Sequence, residues 1–156
     1  MDTFTIIVLT ALVVGLLYRA LKLYELIKST LHWFSLTEGM TPNNQFRSSA
    51  FGCVCLICFP CVCFFFITPI YLLFKVEWWI PIVAFFAGIT LGNLIGFLFE
   101  RLCQLPNHQT IEHSSFNLNA VELTMDDGRL YRRAVFLMIL FSAVSLIISL
   151  IIIFRV

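Results

Sequence analysis

Residues 78–99 read WWIPIVAFFAGITLGNLIGFLF, twenty-two residues without a single charged side chain. A hydrocarbon layer about 30 Å thick takes roughly 20 helical residues at 1.5 Å each, so this stretch is long enough to cross a bilayer. It is apolar all round rather than alternating, which argues against a strand of a membrane barrel. Outward from it lie three more uncharged runs, at residues 3–18, 48–74 and 134–154. The first falls short of a span by about one helical turn. Extending it through Arg19 and Lys22, whose long stems let the charge reach the interface, completes it. The reading is an all-α membrane protein, a bundle of four transmembrane helices at about 4–24, 51–74, 78–99 and 134–154. They form one domain, 1–156, with long connections at about 25–50 and 100–133.

The composition of the 156 residues agrees. Sixty per cent are apolar and 12% charged, with a mean hydropathy of +0.96. A soluble domain is about 45–50% apolar and about 25% charged. A chain of this length could not hide so much apolar surface from water. A soluble enzyme, a disordered chain and a disulfide-stapled secreted module are therefore excluded.

The charges also orient the chain. Arg19, Lys22, Lys28 and Arg47 lie between the first and second spans, and Arg101, Arg129, Arg132 and Arg133 between the third and fourth. Lys75 and Arg155 alone fall on the other side. By the positive-inside rule both termini face outward, and both long connections face the cytoplasm, in an inner or plasma membrane. Met1-Asp2-Thr3 offers no basic n-region, so a retained signal anchor is expected in place of a cleaved leader. Trp78 and Trp79 are expected at the outer interface. Arg19, Lys22, Arg129, Arg132 and Arg133 are expected to meet lipid headgroups and fix topology.

The connections carry weaker signals. Arg19, Lys22, Glu25, Ser29 and His32 share one side of a helical wheel, which predicts an amphipathic extension of the first helix, lying on headgroups or packed beneath its own bundle. Residues 37–49, with Gly39, Pro42 and Asn43-Asn44, read as a loop. Around Asp126-Asp127-Gly128 the polarity alternates, which predicts a hairpin before the fourth span; a helix through 118–125 stopped by Gly128 is the alternative. The second connection sums to −1, with no basic stripe for nucleic acid.

Inside the spans, Ala84, Gly88, Gly92 and Gly96 recur every four residues and so share one helix face, a glycine zipper. Each glycine costs about 1 kcal/mol of helix propensity in water, and missing side chains let another backbone come close. The expected contact is the second or fourth helix of the same chain, or another subunit. Ser142, Ser145 and Ser149 form a stripe expected to face this groove, with a polar pore lining as the rival reading. Asn93, the sole carboxamide in the four spans, is expected to cross-link helices. Pro60, Pro69 and Pro81 are candidate kinks.

Metal and cofactor chemistry find little footing. Cys53, Cys55, Cys58, Cys61 and Cys63 spread around a helix with no histidine or carboxylate in the span. They read as small polarisable packing residues, with Cys53 and Cys55 as candidate acylation sites. Cys103, His108, Glu112 and His113 form a ligand-capable cluster without zinc-finger spacing. No metal or cofactor is expected.

The predicted second, third and fourth spans hold no acid, base or histidine, whereas intramembrane enzymes and coupled transporters need one. The expected function is therefore non-enzymatic. The chain acts through intramembrane helix–helix contact, as an accessory or assembly subunit whose partners are the lipid bilayer and another membrane protein or itself. In size, span number and compact loops it resembles certain colicin immunity proteins, small four-span proteins that protect bacteria from pore-forming toxins. That resemblance is architectural and implies an immunity-type role. The alternative is a homo-oligomeric channel or small-solute exporter.

Overall fold

A backbone in lipid must satisfy its own hydrogen bonds, and long uncharged runs do so as helices. The computed structural model of the protein describes residues 1–37, 42–103 and 120–156. Side chains are described for all of these except 29–30, 32–37, 42–48, 61–62, 65, 120–128 and 130. Every regular element among the described residues is helical: α1 (Thr3–Thr37), α2 (Pro42–Lys75), α3 (Trp79–Cys103) and α4 (Ala120–Arg155). Three stretches are long and apolar enough to cross a membrane: Thr3–Lys28, Trp79–Cys103 and Tyr131–Arg155. In α2 the apolar stretches Ser49–Pro60 and Phe66–Lys75 lie on either side of residues 61–65, whose side chains are only partly among those described.

Three local expectations are corrected. The hairpin around Gly128 is absent, because α4 runs unbroken from Ala120. One glycine costs a helix about 1 kcal/mol, less than stopping propagation from a long apolar helix. The loop expected at 37–49 is mostly helix, since α2 begins at Pro42. Proline suits a first helical position, where its missing N–H has no partner to lose. Pro81 falls in the first turn of α3, so it breaks no ladder and causes no kink. Pro60 and Pro69 do lie inside α2. The turn between α2 and α3 is tight. Val76 N–H donates to Leu72 C=O at 2.9 Å, and Ile80 N–H to Glu77 C=O at 3.1 Å.

α1 is the centre of the fold. Toward its N-terminal end, Val13, Val14 and Leu17 pack with Leu72 of α2, Ile80 of α3 and Ile152 of α4. Toward its C-terminal end, Leu23 and Ile27 pack with Phe51 of α2 and with Ala134 and Leu137 of α4. Rising numbers along α1 thus meet falling numbers along α2 and α4, so both run antiparallel to it. Toward the end of the Thr3–Lys28 stretch Leu26 and Ile27 are buried, and the Tyr24 and Phe51 rings stack at 5.7 Å; most side chains of the expected amphipathic extension beyond Lys28 lie outside those described.

The outer surface is the reverse of a soluble protein's. Phe74, Phe154, Leu102 and Leu56 are each more than three-quarters exposed, and large apolar side chains cover most helix flanks. Apolar area on this scale marks a membrane protein. On the flank of α2, Gly52 has nothing within 4 Å of where a Cβ would sit. Gly52→Ala should therefore stabilise the protein by about 0.5–1 kcal/mol through helix propensity alone. A raised thermal midpoint in detergent checks this.

Candidate functional site: the α1–α3 interface

Two helices approach closely only where neither carries a bulky side chain. Ala84, Gly88, Gly92 and Gly96 of α3 are all buried. The element they face is α1, in place of the second or fourth helix expected from sequence. A Cβ on Gly92 would stand 2.7 Å from Gly15 O and 3.1 Å from Gly15 Cα. One on Gly15 would stand 2.9 Å from Gly88 O. The two backbones are therefore in direct contact, a geometry that admits weak Cα–H···O bonds. Val14 fills the notch at Gly88, and Tyr18 lies against Gly92.

The register is simple. Ala11, Gly15 and Arg19 are spaced by four, as are Gly88, Gly92, Gly96 and Glu100. Rising numbers face rising numbers, so α1 and α3 run parallel. Where the small residues end, charge takes over. The Arg19 guanidinium lies over Gly96, where any Cβ would collide with it, and Arg19 Nη2 donates to Glu100 Oε1. Their side chains are 14% and 21% exposed. A partly buried carboxylate and guanidinium each need such a partner. Arg19 thus serves packing between helices, where the sequence suggested a headgroup contact.

The other predicted basic residues divide. Arg133 donates to the Cys103 carbonyl at 2.7 Å, capping the C-terminal end of α3. Lys22 is exposed, 3.3 Å from Glu25 and over the Tyr18 ring. Arg129 and Arg132 are exposed on α4.

The serine stripe of α4 is buried but does not face the glycine groove, which α1 occupies. Ser145 Oγ donates to Phe141 C=O of its own helix at 2.6 Å. Ser142 and Ser149 hydroxyls are buried without a hydrogen-bond partner among the described residues. Ser142 borders a cavity of about 300 Å³ walled by Ala20, Leu21, Cys55, Cys58, Phe59 and Met138. Those walls are largely apolar, with Tyr24 and Ser142 bearing the hydroxyl groups among them. α3 and α4 meet where Phe99 and Phe141 stack edge to face at 5.3 Å.

Asn93 is exposed on α3. No group of three or more metal-ligating side chains occurs among the described residues. The cluster of His108, Glu112 and His113 beside Cys103 lies outside them. The sequence reading missed Gly15 and Glu100. The Ala11-x3-Gly15 pair was the available signal, a second small-residue face on a span. No known family model, curated protein or solved structure matches this chain.

Proposed function

We propose that the protein crosses the membrane four times, with both termini outside, and works without catalysis by lateral contact with another membrane chain. The roles that fit are an accessory or assembly subunit, or an immunity-type protein against a membrane-active toxin. The observation that carries this is the uneven burial of the spans. Over its most apolar stretch α3 is 22% buried, against 39% for α4 and 50% for α1. α3 spends its small residues on α1 and leaves the opposite flank free. The alternation of helix directions supports the fourth crossing, made by α2 with its two prolines.

The test is in-membrane cross-linking followed by purification of the tagged full-length chain in mild detergent. The expected result is a stoichiometric membrane partner, a second copy or a different chain. A monomer that cross-links to nothing, or one that renders sealed liposomes permeable, would overturn the proposal.

A further inference from the structure

The cavity bordered by Ser142 lies between α1, α2 and α4 and has a floor and a mouth. Ala20, Cys58, Met138 and Ser142 are buried, whereas Tyr24 and Phe59 are exposed, Phe59 at 67%. It is therefore closed toward the bundle and open on the flank of α1 and α2. Ser142 stands close to the midpoint of Tyr131–Arg155, a stretch long and apolar enough to cross a membrane. The mouth thus meets hydrocarbon. Each helix contributes about one turn: Ala20 and Tyr24, Cys55 and Phe59, and Met138 and Ser142 are each four residues apart, roughly 6 Å of rise. No charged side chain is among the described walls. The Ser142 side chain is 1% exposed in total, and its hydroxyl has no hydrogen-bond partner among the described residues. Three residues on, Ser145 donates back to its own helix; Ser149 does not border the cavity. A buried hydroxyl left without a partner costs free energy until it finds one.

We infer that the cavity binds a neutral, lipid-soluble molecule about the size of two fused rings, whose hydroxyl or carbonyl oxygen hydrogen-bonds to Ser142 Oγ. The volume of about 300 Å³ is roughly twice that of an apolar cavity that accepts benzene. The lack of charge on the walls excludes an ion, which would be stranded there. A height of one turn suits rings better than an extended acyl chain. An acyl tail also brings no polar atom to the floor and leaves Ser142 unpartnered. The Tyr24 and Phe59 rings, with the sulfur atoms of Cys55 and Met138, offer the contacts that aromatic faces and edges favour. This site is independent of the lateral-contact reading and stands whether or not a partner chain is found.

The experiment is equilibrium binding of 2-naphthol and of naphthalene, at neutral pH, to the full-length protein in nanodiscs. Empty nanodiscs serve as the blank, and affinities are referred to the probe concentration within the bilayer. The two probes differ only in the hydroxyl. The expected result is saturable binding of one 2-naphthol per chain, five- to tenfold tighter than naphthalene, about the worth of one hydrogen bond. Ser142→Ala should bind both probes with the affinity that the wild type shows for naphthalene. That variant removes an unpartnered hydroxyl and so folds as stably as the wild type. No saturable binding of 2-naphthol to the wild type overturns the inference. Equal affinity of the wild type for the two probes also overturns it and marks the cavity as a groove for acyl chains. A preference for 2-naphthol that survives in Ser142→Ala overturns the role of Ser142 and, with it, the site.

Discussion

Gly92→Leu is expected to prise α1 from α3 and destabilise the fold by about 3 kcal/mol, the upper end of ordinary overpacking. The reason is the identity of what lies opposite. The first added carbon meets the Gly15 carbonyl and Cα, which are backbone atoms with no rotamer to yield. In lipid, no hydrophobic drive between helices compensates for a widened contact. Gly92→Ala should show a smaller loss of the same sign. At Gly96 the colliding atoms belong to the far end of Arg19, which can swing aside, so Gly96→Ala should cost less than Gly92→Ala. Denaturation by titrated detergent, followed by tryptophan fluorescence, ranks the three. Equal tolerance at positions 92 and 96 would contradict the backbone contact.

Removing one partner of the Arg19–Glu100 pair is expected to cost about 2–3 kcal/mol, somewhat less than a fully buried pair because both groups keep some exposure. Glu100→Leu leaves a guanidinium over Gly96 with no counter-charge. Arg19→Leu leaves the carboxylate in the same position. The double variant Arg19→Leu/Glu100→Leu should recover much of the stability, because no charge is then stranded. A double-mutant cycle measures the coupling directly. Additive losses would mean that the two groups act independently and that the ion pair does not tie α1 to α3.

The comparison of sequence with structure follows the reach of each physical signal. Charge-free runs located α1, α3 and α4, because burying a charge in lipid is expensive and the sequence records its avoidance. The same signal marked residues 48–74, and α2 is a helix there, with its crossing of the bilayer a proposal. Local turn chemistry misled at Asp126-Asp127-Gly128, where propagation from a long helix outweighs a single glycine. The four-residue spacing marked one face of α3 for close helix contact, and Ala84, Gly88, Gly92 and Gly96 on that face are buried. It could not name the occupant, since spacing defines a face and not what covers it. The second face, Ala11 and Gly15, was written in the sequence with one fewer glycine and was passed over. Arg19 shows the same limit. Its position at a span end suits a snorkelling side chain, and Glu100 was equally visible at the end of another span. Pairing them required knowing that α1 and α3 lie side by side and run parallel.

The central claim is that α2 crosses the bilayer, bringing the count to four. Reporters fused ahead of Met1 and after Val156, each active on one side of the membrane, test it most directly. The expected result is both ends on the outer face. Ends on opposite faces would leave three crossings, place α2 elsewhere and contradict the account.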